Sequence, residues 1–231
     1  MNYENIQLTS IRQNTYEEGK ILYDIVLKYK PKNILELGTF GGYNTLWLAA
    51  ALDEINKDGV VFSLDFDKAD ITPSADEMIK RNSLTNVFIS KTDSIIDSIN
   101  SYINNVDLIF IDECHYEQDK LLSKLIKNSA DNKILVFHDV LCDYADEMKT
   151  PKIFSELCET NSSDYEIIHT EDDNGNPNGF GIYVLTKKIE SVSKDIVEIE
   201  TKPTEESRKK KKNSEKETEE HVDSLTKKEN E

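Results

Sequence analysis

The sequence predicts an α/β fold with a doubly wound, mostly parallel seven-stranded sheet, on three observations. Short apolar runs alternate with stretches of helical periodicity from residue 33 to residue 160. The runs are apolar on both faces, the mark of parallel strands with helices on both faces of the sheet. The chain then closes with two further apolar runs around the turn-rich loop "EDDNGNPN" (171–178), which reads as an antiparallel C-terminal hairpin at one sheet edge.

The elements follow in order. Thr15 to Glu18 forms a T-x-x-E capping box, and Ile21, Leu22, Ile25 and Val26 follow at helical spacing until Pro31. The first strand, "NILEL" (33–37), runs into Gly38, Gly41 and Gly42, and a helix over about 44–56 begins with Asn44 or Thr45 as its cap. Four more strands are expected at "VVFSLD" (60–65), "NVFIS" (86–90), "VDLIFID" (106–112) and "KILVFHD" (133–139). Helices over about 74–83, 94–104, 117–129 and 151–160 separate or follow them, and the hairpin strands fall at 165–170 and 179–186.

In such a sheet ligands bind at the carboxyl ends of the strands. Polar residues gather there: Glu36 with the glycines, Asp65 and Asp67, Thr92 to Ser94, Asp112 to His115, and His138 with Asp139. A strand, a glycine turn and a helix N-terminus make a nucleotide-type site. The dinucleotide pattern G-x-G-x-x-G is absent, because Phe40 stands at its second glycine, and no P-loop lysine follows.

The spacing Glu36–Gly38–Gly42 instead resembles motif I of class I S-adenosylmethionine (SAM)-dependent methyltransferases, which are Rossmann-like. "ELGTFGGYNT" is similar to the O-methyltransferase version, with an aromatic after the last glycine. "FIDECHYE" and "VFHDV" resemble stretches of the methyltransferase 24 type, a group with metal-dependent macrolide-sugar O-methyltransferases and cephalosporin-hydroxylase-like proteins. The resemblance spans about residues 12–187 and implies SAM as cofactor, bound by Glu36, Gly38, Phe40, Gly42, Tyr43, Asn44, Asp65, Asp93, Ser94 and Asp112. Asp65 is suited to ribose hydroxyls, Asp93 and Ser94 to adenine or, equally, to capping a helix. Asp112, His138 and Asp139 would hold a divalent ion, Mg²⁺ or Mn²⁺, against a substrate hydroxyl, with His115 of D-x-x-H as general base.

Composition sets the remaining bounds. From Lys188 onward there is no aromatic residue and no apolar stripe, so residues 1–187 are expected to form the domain and 188–231 a charged, disordered tail. The tail carries 11 basic and 13 acidic residues, which leaves most of the net charge of −17 on the domain. An acidic domain repels phosphate backbones and argues against nucleic acid as a partner. Cys114, Cys142 and Cys158 lack C-x-x-C spacing, which fits reduced thiols and a cytoplasmic setting; no run approaches membrane-spanning length. The expected activity is methyl transfer from SAM to a hydroxyl of a small molecule such as a sugar, with homo-oligomerisation left open. Metal-independent transfer to nitrogen or protein, or nucleoside binding without catalysis, are the other readings.

Overall fold

The computed structural model describes residues 4, 6–7, 16–66, 72–113, 118–128, 133–142, 149–160, 165–171 and 175–185. The expected general base His115, with Cys114, Thr15, Asp67 and the segment 188–231, lies outside the described residues.

Among the described residues seven strands form one sheet: β1 (Ile34–Leu37), β2 (Val61–Phe66), β3 (Val87–Thr92), β4 (Leu108–Ile111), β5 (Lys133–Phe137), β6 (Tyr165–Glu171) and β7 (Pro177–Leu185). Their order is β3-β2-β1-β4-β5-β7-β6. The first five are parallel, β7 runs antiparallel to β5, and β6 pairs antiparallel with β7. The order reverses between β1 and β4, where Leu37 stands level with Ile111. That switch point is where a doubly wound sheet opens a crevice.

Helices α1 (Tyr16–Tyr29), α2 (Tyr43–Ile55) and α3 (Thr72–Arg81) share a core with Ile34, Val61, Leu108, Phe110, Val136 and Ile182. The alternate strand residues, Leu35, Leu37, Ile109, Ile111, Leu135 and Phe137, are buried on the opposite face. There α4 (Ile95–Ser98), α5 (Gln118–Asn128) and α6 (Thr150–Thr160) follow one another, and Phe137 meets Phe154 of α6 edge-on at 5.5 Å. Both faces are covered, as the apolar runs require. Among the described residues no helix is long and apolar enough to cross a membrane.

Several boundaries differ from expectation for physical reasons. The single helix expected over 94–104 is one α-turn followed by two 3₁₀ turns, Ile99–Ser101 and Ile103–Asn105. β-branched isoleucines and five serines or asparagines give that stretch little α propensity. β3 is an edge strand with Phe88 exposed, so it is not apolar-buried on both faces as the other parallel strands are. β4 and β5 stop at Ile111 and Phe137, short of 112 and 139, because the residues beyond leave the ladder to build the site. β7 begins at Pro177, two residues earlier than expected, because Pro177 and Asn178 already lie opposite Glu171 and Thr170 of β6.

Candidate active site

Three strand ends advance in step. Gly38 N–H donates to Leu64 O, Asp112 N–H to Leu37 O and His138 N–H to Ile111 O, at 2.8, 2.9 and 3.0 Å. Each residue thus sits one step beyond its own strand, above the switch point. The glycines are needed there for close approach. Gly38 has φ +102°, and a Cβ on it would fall 2.6 Å from Asp112 O. Gly42 has φ +78°, and its Cβ would meet Ala75 of α3 at 2.6 Å. The turn is therefore shaped in part by its neighbours in the fold, besides any ligand it accepts.

Glu36 is fully buried beneath this turn. Its Oε2 accepts from Thr45 Oγ1 at 2.6 Å and from Ser63 Oγ at 2.5 Å, and Ser63 Oγ is 2.6 Å from Thr39 Oγ1. Its Oε1 is buried without a hydrogen-bond partner. Burial pushes this carboxyl up to about 8, against the lowering pull of Ser63 and Thr45, and the charges of Asp112 and Asp65 add to the rise. An orphaned oxygen at such a place marks a group waiting for a partner.

Asp65 accepts from Phe40 N–H at 2.6 Å through Oδ2 and from Phe66 N–H at 2.7 Å through Oδ1. It fixes the crown of the glycine turn, and each oxygen keeps a second lone pair for a ribose hydroxyl. Phe40 itself is held at φ 42° and is 61% exposed at the crown of the turn. Tyr43 opens α2, and its ring packs toward the buried Trp47 at 6.4 Å. Asp93 is exposed, and Ser94 caps α4 by accepting from Asp97 N–H at 3.2 Å. The capping alternative is thus realised for Ser94.

The densest cluster surrounds His138. Asp112 Oδ1 is 2.8 Å from His138 Nδ1, Asp139 Oδ1 is 3.3 Å from the same nitrogen, and Glu18 Oε1 is 3.6 Å from Nε2. The second oxygen of Asp112 accepts from Asn44 Nδ2 at 2.9 Å. Asp139 holds a left-handed backbone, φ 60°, at the end of β5. Phe180 lies against the imidazole with ring centroids 4.9 Å apart. Burial works against a charged imidazole here, but Asp112, Glu18 and Asp139 together hold His138 well above its ordinary range. Asp112, His138 and Asp139 each offer a ligand atom, all within 4.8 Å of one another. That is a carboxylate–imidazole–carboxylate donor set of the kind that binds divalent ions.

The sequence brought Asp112, His138, Asp139 and Asn44 to this place, but it missed Glu18. A glutamate at the third position after Thr15 reads as half of a capping box, and that explanation absorbed it. In the fold its Oε1 faces His138 and accepts from Thr170 Oγ1 and Asn178 Nδ2, both at 3.3 Å. Asn178 was hidden in the same way, inside a string of turn residues.

Residues 35–140 match the methyltransferase 24 family, described as a methyltransferase domain. That segment, a little under half of the chain, is similar to the methyltransferase domain of that family. It contains the glycine turn, Asp65 and the Asp112–His138–Asp139 cluster, and it excludes Glu18 and Asn178. A catechol O-methyltransferase from Niastella koreensis is 30% identical over 130 residues, covering 54% of this chain and 57% of that enzyme. The match thus spans little more than half the length of that relative. Among solved structures, the Bacillus cereus O-methyltransferase in complex with SAH superposes with TM-score 0.63 at 23% identity, covering 79% of this chain and 86% of that one. The tomaymycin-synthesis O-methyltransferase of Streptomyces achromogenes, in complex with SAM, gives 0.60 at 22%, covering 78% and 82%. At these identities the likeness establishes that the sheet and its helices have the fold of these proteins.

Proposed function

We propose that this chain transfers the methyl group of SAM to a hydroxyl of a small molecule at the carboxyl ends of β1, β2, β4 and β5. The observation that carries it is the junction at the switch point. Asp112 is tied through one oxygen to Asn44 beside the glycine turn and lies against His138 through the other. One side of the junction suits a nucleoside cofactor. Gly38 and Gly42 present backbone, Asp65 presents lone pairs, and the orphaned Glu36 oxygen lies beneath. The other side suits the methyl acceptor. The protein's own task is then to align and desolvate two reactants, since SAM carries the methyl group already activated.

A divalent ion fits the acceptor side, where Asp112, His138 and Asp139 would hold it. When bound, it would lower the pKa of a coordinated hydroxyl. Two carboxylates and one imidazole suit Mn²⁺ or a related ion at least as well as Mg²⁺. An acceptor with two adjacent hydroxyls accords with the name of the Niastella relative, whose catechol is such a diol, and with the resemblance to sugar O-methyltransferases. His115 would serve as base. A cytoplasmic setting belongs to the same proposal, supported by three cysteines without C-x-x-C spacing.

The second reading is a metal-independent transferase. It is favoured by the ion pair of His138 Nδ1 with Asp112 Oδ1 at 2.8 Å, in which the imidazole itself can offset the carboxylate. Labelled-methyl transfer from SAM to a panel of catechols and vicinal-diol sugars, with and without chelator, separates the two. Transfer only with added divalent ion supports the first reading, and undiminished transfer in chelator supports the second. No transfer to any hydroxyl, with SAH bound, would overturn O-methylation.

A further inference from the structure

We propose that Glu18 is the positioning residue of the metal site: it orients His138 so that Nδ1 is the ligand atom, and it thereby favours Mn²⁺ over Mg²⁺. This rests on the metal reading above and extends it to a helix outside the family-matched segment.

The imidazole has two edges, and they face different chemistry. Nδ1 looks toward Asp112 Oδ1 and Asp139 Oδ1 at 2.8 and 3.3 Å. Neighbouring ligand atoms around a six-coordinate ion with bonds of ~2.1 Å lie about 3 Å apart, so these separations suit atoms that share one cation. Nε2 looks the other way, toward Glu18 Oε1 at 3.6 Å. Phe180 on the ring at 4.9 Å and Phe110 at 6.4 Å limit its rotation. A proton kept on Nε2 and directed at Glu18 leaves the Nδ1 lone pair aimed between the two aspartates. A carboxylate behind a ligating histidine is the usual device for fixing tautomer and ring orientation.

Glu18 is placed for this at a cost. Glu18 is only 6% exposed, and burying a carboxylate is costly unless it is compensated. Thr170 and Asn178 donate to the same oxygen that faces His138, so the hairpin holds Glu18 Oε1 in that direction. Ion preference follows from the ligand types. Mg²⁺ takes oxygen ligands and water, so it needs the two aspartates and little from His138. Mn²⁺ accepts imidazole more readily and gains from a well-oriented Nδ1.

Calorimetric titration of the full chain with MnCl₂ and, separately, MgCl₂ tests this in wild type, Glu18→Ala and Glu18→Gln. SAH binding serves as the check that each variant is folded. The expected result is Mn²⁺ bound more tightly than Mg²⁺ in wild type. Glu18→Ala should then weaken Mn²⁺ roughly 10- to 100-fold, with Mg²⁺ affinity changed about twofold or less. Glu18→Gln, whose amide oxygen can still face Nε2–H, should recover part of the loss. Unchanged Mn²⁺ affinity in Glu18→Ala overturns the role of Glu18 while leaving the metal site standing. Equal losses for both ions overturn the selectivity. Neither ion binding to wild type, with SAH still bound, overturns the metal reading itself and this inference with it. Should the alanine variant fail to fold, a partial Mn²⁺ loss in Glu18→Gln with Mg²⁺ affinity unchanged supports the proposal, and wild-type Mn²⁺ affinity in both Glu18→Gln and Glu18→Asp overturns it.

Discussion

Asn44 donates from Nδ2 to Asp112 Oδ2 at 2.9 Å, which ties the first turn of α2 to the end of β4 across the switch point. The bond joins the cofactor side of the crevice to the acceptor side, because Asp112 Oδ1 lies against His138. Asn44→Ala should therefore weaken SAH and divalent-ion binding together, each by about 1.5–3 kcal/mol, the range for a hydrogen bond to a charged group. Calorimetry on the two ligands separately checks this. A loss confined to one of them would show that the two sides are not mechanically joined.

Asp65 should matter twice. SAH should raise the melting temperature of wild type, whereas NAD should not. In Asp65→Ala the SAH shift should shrink, and the unliganded protein should also melt lower, because Phe40 N–H loses its acceptor. Thermal denaturation with each ligand reads both effects. Equal stabilisation of wild type by NAD would sink the SAM assignment.

The buried Glu36 gives a pH signature. Its carboxyl lies at about 8 in the folded chain against an ordinary 4.5, so the folded state keeps a proton that the unfolded state gives up between those values. The stability it contributes is fully present below about pH 4.5 and is lost as pH rises through 8. Glu36→Gln lacks that titration. Relative to the variant, wild type should lose up to a few kcal/mol between pH 5 and 8, as measured by urea denaturation. A difference that does not change with pH would show that Glu36 is ionised throughout.

Asp139 offers a clean test of the metal site, because its φ of 60° already suits glycine. Asp139→Gly deletes the carboxylate while easing the backbone. Methyl transfer should fall to the level seen in chelator, with SAH affinity unchanged, and added Mn²⁺ should rescue wild type but not the variant. Activity at the wild-type level would remove Asp139 from the ligand set.

His115→Ala should leave SAH and metal affinity intact while turnover falls roughly 10²- to 10⁴-fold, the range for losing a general base. Single-turnover kinetics provides the measurement. Full activity with metal retained would leave ionisation of the hydroxyl to the ion alone.

What the sequence made legible follows the range of the physics involved. Strand and helix order, the hairpin, and the residues just beyond β1, β2, β4 and β5 are local patterns, readable because a parallel strand is a short apolar run with its chemistry at one end. Asp112, His138 and Asp139 belong to that class. The 94–104 stretch misled because apolar spacing outweighed its weak α propensity. Glu18 and Asn178 were invisible for another reason: each had a sufficient local explanation, as cap and as turn, and only the tertiary fold gives them a shared neighbour. Gly42 carries a similar lesson. Its need for a bare backbone is met by Ala75 of α3, a contact that motif spacing does not reveal.

The hydrogen bonds that hold Glu18 come from Thr170 and Asn178, 152 and 160 residues further along the chain. During synthesis the first helix leaves the ribosome long before those donors exist. Closing so long a span is entropically late as well as late in time. A nascent chain ending near residue 140 would already carry every motif of the family-matched segment, yet its Glu18 would have nothing from the hairpin to hold it. The cradle around His138 is thus finished by β6 and β7, and its completion marks a chain that has been translated through β7.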